Sequence, residues 1–172
     1  MKHFFVVQLS DIIDKLPVKS VQGNVNQRIS RIDFDSRKVE AGSLFVAVRG
    51  THVDGHQYIQ AAIEKGAVAI IAEEKTLELT KEVAFIEVLN SSESLGLAAC
   101  QFYGHPSRDL QLIGITGTNG KTTCVTLLHQ LFSELGYKVG LLSTVENRIG
   151  QEVLASAFTT PDAVALNALL RE

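Results

Sequence analysis

Residues 112–123 read LIGITGTNGKTT, a short apolar run that stops at glycines and continues as an amphipathic helix. Gly117 and Gly120 can adopt backbone angles closed to other residues, so successive N–H groups can turn inward around an anion. Lys121 would place an ammonium group on the outer phosphates of a nucleotide, and Thr122 would offer its hydroxyl to magnesium. The dipole of the helix adds to this attraction. The stretch therefore predicts a phosphate-binding loop between a strand and a helix.

The match to the general phosphate-loop pattern G-x-x-x-x-G-K-[ST] is incomplete. A loop that ends at Gly120-Lys121-Thr122 should have a glycine at position 115, but the chain has Ile115 there and its glycine is Gly114. The alternative is an ordinary glycine-rich turn between a strand and a helix. The Gly-Lys-Thr-Thr ending in front of an amphipathic helix favours nucleotide binding over that alternative.

The composition indicates a globular protein that acts on small molecules. The chain has 172 residues, 45% of them hydrophobic, which allows one large domain or two small ones. Sixteen basic and 19 acidic residues give a net charge of -3 without a basic block, so nucleic acid and membranes are not expected partners. Gln8, Ser10, Asp11 and Asp14 cut the first apolar run too short for a signal sequence, and we expect a cytoplasmic protein.

The first two thirds of the chain alternate between strand and helix patterns. A short helix should cover 11–16 behind Ser10 as its N-cap, and Asn90 with Glu93 forms a capping box. The further expected elements are strands at 29–34, 44–48, 68–71 and 83–88 and helices at 57–65 and 91–103. Some strands are continuous in Val and Ile, which predicts an α/β sheet covered on both faces.

A polar segment at 104–109 predicts a linker, so we place one domain at 1–107 and another at 108–172. The second should contain helix 121–135, strand 138–143, a hairpin around 147–150 and a helix that Thr160 caps. These elements are only a fraction of a doubly wound nucleotide-binding domain. We therefore expect the chain to be the N-terminal part of a longer enzyme.

The loop Gly114-Ile115-Thr116-Gly117-Thr118-Asn119-Gly120-Lys121-Thr122-Thr123 resembles that of the ATP-dependent Mur ligases. The first domain resembles the N-terminal domain of the MurE type, although MurF-type ligases share much of the pattern. The matching motifs are Asp35-Ser36-Arg37, Gly42-x-Leu44-Phe45-x-Ala47, Gly50, Asp54-Gly55-His56-x-Tyr58-Ile59-x-x-Ala62 and Gly66-Ala67. The resemblance implies a small N-terminal α/β substrate domain followed by the start of a P-loop doubly wound ATPase domain.

The same resemblance assigns roles to particular residues. It implies that ATP and Mg2+ bind at Gly117, Thr118, Asn119, Gly120, Lys121, Thr122 and Thr123, with Lys121 catalytic and Thr122 a magnesium ligand. It implies that the uridine diphosphate of the substrate lies near Ser36 and the loop of Thr51, His52 and Val53. The alternative for Asp35-Ser36-Arg37 is a capped turn with a surface ion pair.

Thr159-Thr160-Pro161-Asp162 argues for the MurE type, because MurF-type ligases usually differ here. By resemblance both threonines contact the muramoyl-peptide substrate, whereas Thr160 could also be only a helix cap. Phe158 is apolar, so a polar contact from that position is lost.

The implied reaction joins meso-diaminopimelate or L-lysine to UDP-N-acetylmuramoyl-L-alanyl-D-glutamate through an acyl phosphate. The γ-phosphoryl of ATP activates the carboxylate, which the amine then attacks. We expect a monomer, and we expect these 172 residues alone to be inactive. The alternatives are a MurF-type ligase and a non-catalytic module that binds a UDP-sugar or nucleotide.

Overall fold

The computed structural model describes residues 6–50, 53–75, 82–154 and 161–172. The chain divides into two compact units, Met1–His105 and Pro106–Glu172. The division falls inside the polar segment at 104–109. Within the described residues no helix is long and apolar enough to cross a bilayer.

The first unit is built on a five-stranded sheet. The strands of this sheet are β2 Val18–Gln22, β4 Arg31–Asp33, β5 Ser43–Val46, β6 Ala67–Ala72 and β7 Ala84–Val88. Two further short strands, β1 Val7–Gln8 and β3 Arg28–Ile29, form a separate pair. The sheet order is β2-β7-β6-β5-β4, in which β4 to β7 run parallel and β2 pairs antiparallel with β7. The pair β1 and β3 forms an antiparallel ladder of its own.

Helices cover both faces of this sheet, as the sequence predicts. They are α1 Leu9–Ile13, α2 Ile59–Glu64 and α3 Ser91–Phe102. Ile59 and Ala62 of α2 pack in one buried cluster with Phe45, Ile70 and Phe85. Helix α3 contacts β4 and β6 and also packs against α1. Strands buried on both faces need apolar residues at every position, which explains their continuous Val, Ile and Ala runs.

Three details of the first unit differ from the sequence predictions. The first helix begins at Leu9, not at residue 11, so Ser10 lies inside the helix and is not its N-cap. The earlier start is possible because the amides of Leu9 and Ser10 donate to carbonyls of the segment 25–27. The strand expected at 29–34 is divided between β3 and β4, which belong to different ladders. Strand β2 was not predicted.

The described residues of the second unit form a 3-10 helix at Pro106–Asp109, two α-helices and a small antiparallel sheet. Its elements are α4 Lys121–Glu134, β8 Gly140–Leu142, β9 Asn147–Ile149, β10 Glu152–Leu154 and α5 Ala163–Arg171. The sheet order is β10-β9-β8, and the hairpin turns at Gly150 as expected.

Two predictions for the second unit were wrong. The apolar run at 112–115 forms no strand, and Leu112 and Ile113 are 63% and 60% exposed. The N-cap of α5 is Asp162, not Thr160, because Oδ1 of Asp162 accepts a hydrogen bond from the Ala165 amide at 2.8 Å. Thr160 itself lies outside the described residues.

Candidate functional site

The predicted phosphate loop forms a glycine-rich turn at the start of α4. Gly117 has φ 146° and Gly120 has φ 76°, in the region that favours glycine over residues with a side chain. Gly120 is the N-cap of α4, and the Cys124 amide makes the first helical hydrogen bond, to the Gly120 carbonyl at 2.9 Å. The amides of residues 121–123 precede that bond and are the N-terminal donors of the helix. Such donors suit an anion.

Lys121 lies over this turn. Its Nζ donates to the carbonyl oxygens of Gly117 and Thr118, the latter at 3.4 Å. Thr122 is half-buried, whereas Thr118, Asn119, Lys121 and Thr123 are exposed. The predicted ATP-binding residues 117–123 thus form the glycine turn and the first turn of α4, with the Lys121 ammonium group beside the carbonyls of Gly117 and Thr118.

Two other candidate residues that the structure describes, Ser36 and Val53, follow strands β4 and β5 at one edge of the five-stranded sheet. Parallel strands end at the same edge, and ligands of open α/β sheets bind beside the carboxyl ends of the strands. The polar residues that follow the four parallel strands are Asp35, Ser36 and Arg37 after β4, Arg49 after β5, Glu73 and Glu74 after β6, and Asn90 and Ser91 after β7.

Asp35, Ser36 and Arg37 form a capped turn closed by an ion pair. Arg37 Nη2 lies 2.8 Å from Asp35 Oδ2, and the Arg37 amide donates to Asp35 Oδ1 at 3.0 Å. Hydrogen bonding from the Arg37 side chain lowers the pKa of Asp35 to about 2. The Ser36 carbonyl accepts from Lys65 Nζ at 3.0 Å, which fixes the turn. The structure therefore has the geometry of the plainer alternative, with the Arg37 guanidinium already paired.

The described residues on either side of positions 51 and 52 after β5 pair with each other. Arg49 and Asp54 form an antiparallel bridge, and the Gly50 amide donates to the Val53 carbonyl at 3.0 Å. A Cβ atom on Gly55 would lie 2.7 Å from backbone atoms of Val48, so only glycine fits there. Val53 is 56% exposed. Thr51 and His52 lie outside the described residues, as do Thr159 and Thr160.

A histidine that sequence reasoning did not select is buried next to these residues. His56 is 4% exposed, and its Nδ1 lies 2.6 Å from Asp54 Oδ1. On the other side of the ring, Nε2 accepts from the Glu73 amide at 3.0 Å. Hydrogen bonds from the amide and then the side chain of His56 lower the pKa of Asp54. His56 thus joins the residues after β5 to the end of β6.

Glu73 and Ser91 extend this network to the start of α3. Glu73 Oε1 accepts from the Ser91 amide at 2.9 Å and from Ser91 Oγ at 2.8 Å, and these bonds lower the pKa of Glu73. Ser91 Oγ also accepts from the Arg49 amide at 3.1 Å. The Arg49 guanidinium contacts Glu74 at 2.7 Å. In the sequence, these polar residues could have been found because each lies within three residues after a parallel strand.

No cluster of three or more His, Cys, Asp or Glu residues suitable for a metal ion occurs in the part of the chain that the structure describes. Thr122 is half-buried in the first turn of α4. Its hydroxyl is a neutral oxygen of the type that accompanies phosphate oxygens around Mg2+. The hydroxyl of Thr122 thus fits one ligand position of a magnesium ion that a nucleotide brings with it.

A mainly parallel α/β unit, followed by a second unit with a glycine-lysine turn at a helix start, places the chain among the α/β proteins. Two family models match the chain: the Mur ligase family catalytic domain over residues 28–103 and the Mur ligase middle domain over residues 115–172. The chain belongs to the Mur ligase family.

Relatives with high identity carry one name, UDP-N-acetylmuramoyl-L-alanyl-D-glutamate--2,6-diaminopimelate ligase. The protein of Cytophaga hutchinsonii is 52% identical over 96% of this chain and 34% of its own length. That of Bacteroides fragilis is 49% identical over 95% of this chain and 34% of its own length. The chain thus spans about a third of the length of these relatives.

Solved structures show the same fold. A ligase with that name superposes with a TM-score of 0.72 at 25% identity, over 96% of this chain and 33% of its own. The MurF of Acinetobacter baumannii superposes with a TM-score of 0.63 at 21% identity, over 98% of this chain and 33% of its own. The likeness to MurF concerns the fold alone.

Proposed function

We propose that this chain is the N-terminal part of an ATP-dependent ligase that joins diaminopimelate to UDP-N-acetylmuramoyl-L-alanyl-D-glutamate. The observation that carries the proposal is the glycine-lysine turn at the start of α4 in a chain 52% identical to ligases of that name. Those names favour diaminopimelate over L-lysine as the amine. They also favour the MurE type over the MurF alternative. We place the reaction in the cytoplasm, where ATP is available, and treat the protein as a monomer.

The residues of the turn would bind the phosphates of ATP. The amides of 118–123 would donate to phosphate oxygens, and Gly117 and Gly120 allow the backbone to approach them. Lys121 Nζ would exchange its carbonyl partners for phosphate oxygens and stabilise the charge that develops during phosphoryl transfer. Mg2+, held in part by Thr122, would supply further neutralisation of that charge.

The carboxyl edge of the first unit would hold the uridine diphosphate. Ser36 lies in the turn after β4, and Val53 lies exposed after β5. By family resemblance Thr51 and His52 join this subsite, and Thr159 and Thr160 contact the muramoyl peptide. The Arg37 guanidinium is already paired with Asp35. The turn after β4 therefore offers the nucleotide the Ser36 hydroxyl and backbone groups as hydrogen-bond donors and acceptors.

Titration with UDP tests the substrate assignment directly. We expect amide chemical shifts of the 172-residue chain to move near Ser36 and in 53–56, with a weak affinity. ADP serves as the comparison nucleotide, because it has the same diphosphate on another base. Shifts confined to Gly117 and Gly120 would show that the uridine site has been placed in the wrong unit.

Substitution of Lys121 tests the catalytic assignment in a protein extended to the length of the relatives. Lys121→Ala should remove most ligase activity and leave binding of the UDP-linked substrate intact. Lys138→Ala changes another exposed lysine of the second unit and should retain activity. Equal loss of activity and substrate binding in Lys121→Ala would indicate a structural role.

The 172 residues alone should not release phosphate when given ATP, the UDP-linked substrate and diaminopimelate. Amide formation requires three reactants at near-attack distance, and proximity supplies much of the rate. No residue in this chain has been assigned to the amine. Stimulated phosphate release by the unextended chain would contradict this expectation, and release only by the extended protein would support it.

A further inference from the structure

We propose that His56 is a positioning residue, which fixes Asp54 and, next to it, the exposed Val53 of the proposed uridine site. The inference rests on the proposed function, which places Val53 beside the nucleotide. His56 itself is 4% exposed, so it acts through its hydrogen bonds and not by contact with the ligand.

Both ring nitrogens of His56 are used, each toward a different element. Nε2 accepts from the Glu73 amide at 3.0 Å, so the neutral ring carries its proton on Nδ1. That Nδ1–H donates to Asp54 Oδ1 at 2.6 Å. The same Asp54 oxygen accepts from the His56 amide at 3.0 Å. Because Glu73 directly follows the last residue of β6, the ring ties Asp54 to the end of that strand.

Asp54 in turn is tied to the segment after β5. It is bridged to Arg49, whose amide donates to Ser91 Oγ at 3.1 Å. Ser91 Oγ donates to Glu73 Oε1 at 2.8 Å, next to the amide that His56 accepts. The hydrogen bonds form a closed path through the ends of β5 and β6 and the start of α3. Removal of one bond in such a path leaves a buried group unpaired and loosens the hold on Asp54 and Val53.

Two substitutions each remove one of the two hydrogen bonds that the His56 ring makes. His56→Asn retains a donor near the position of Nδ1 but cannot reach the Glu73 amide. His56→Gln places an oxygen near the position of Nε2 but loses the donor to Asp54. A hydrogen bond that contributes about 1 kcal/mol corresponds to roughly fivefold in an equilibrium constant, and we expect each variant to raise the Kd for UDP about three- to tenfold.

His105 provides the matched control. It is also a histidine of the first unit with both ring nitrogens bonded, to Cys100 Sγ at 3.1 Å and Gln101 Oε1 at 2.8 Å. It follows the C-terminal end of α3, whose 12 residues place it about 18 Å from the carboxyl edge of the sheet. Its φ of 56° is one that asparagine tolerates. His105→Asn should leave the Kd for UDP unchanged.

The experiment is a UDP titration of the unsubstituted chain and the three variants, followed by amide chemical shifts. The Ile70 amide signal gives the fraction of folded molecules in each sample. The Kd is calculated for that folded fraction, so that a variant with lower stability is not mistaken for one with weaker UDP binding. UDP binding by the unsubstituted chain with equal Kd in both His56 variants would overturn the inference and leave the proposed function standing. Failure of the unsubstituted chain to bind UDP would overturn both.

Discussion

Replacement of Glu73 by glutamine should lower the free energy of unfolding of the first unit by about 1.5 kcal/mol at pH 7. Glu73 Oε1 accepts two hydrogen bonds from Ser91, at 2.9 and 2.8 Å, and Ser91 is fully buried. Glutamine keeps an acceptor oxygen but no charge, and a hydrogen bond to a charged group contributes about 1 kcal/mol more than one to a neutral group. The loss adds over the two hydrogen bonds from Ser91. Because the Glu73 side chain is 21% exposed, solvent reduces this total loss to about 1.5 kcal/mol.

The effect should depend on pH in a defined direction. The pKa of Glu73 is lowered from its ordinary value of 4.5, mainly by the Ser91 amide and then by the Ser91 hydroxyl. A lowered pKa in the folded state means that the stabilisation is complete above the unfolded value and is lost as the pH falls through the folded value. The difference between the unsubstituted chain and Glu73→Gln should therefore shrink below pH 4.5.

Urea unfolding, followed by the Ile70 amide signal at pH 7 and at about pH 3, measures this difference. Glu74→Gln is the matched control, since Glu74 is 60% exposed and its recorded contact is with Arg49. Such an exposed pair contributes about 0.2–1 kcal/mol, less than the loss expected for Glu73→Gln. The reasoning is wrong if the two variants lose equal stability at pH 7, or if the Glu73→Gln deficit persists unchanged at the lower pH.

Two further substitutions test local features of the first unit by the same urea assay. Gly66→Ala should destabilise it by about 1–3 kcal/mol, because φ is 101° and the new Cβ would lie 2.9 Å from the Ala41 Cα. Its control, Gly96→Ala in α3, meets no atom within 4 Å and should instead stabilise by up to about 1 kcal/mol, so a loss of stability there would contradict the argument. Asn90→Ala removes the cap on the Glu93 amide and should cost about 1 kcal/mol, whereas the exposed Ser92→Ala should cost little.

The elements that the sequence predicted well are those with a strong local cause. Helix α3 has its Asn90 cap and an apolar face, and β6 is a continuous apolar run that is buried along nearly all of its length. The turn at 117–120 depends on glycines whose positive φ angles follow from the residue type. In each case the information lies within a few residues of the chain.

The elements that were missed depend on partners distant in sequence. Strand β2 is mostly exposed and is held by pairing with β7, to which Ser20 adds a hydrogen bond with Glu87 at 3.0 Å. The start of α1 is set by carbonyls of the segment 25–27. The His56 network requires the sheet order, because Asp54, Glu73 and Ser91 meet only when β5, β6 and β7 are adjacent.

The two units differ in how far their own described residues bury their apolar side chains. On α3, Leu95, Ala98 and Phe102 are buried, whereas on α4 Leu127, Leu131 and Leu135 form a stripe that is 60%, 50% and 62% exposed. The conformation of a glycine turn is set locally, but the position of its amides relative to a phosphate depends on the strand and helix that flank it. The described residues at 112–115 form no strand. Under the proposed function, the described residues therefore lack the paired strand that would fix the amides of this turn, and affinity for ATP should rise only when the 112–115 run is paired.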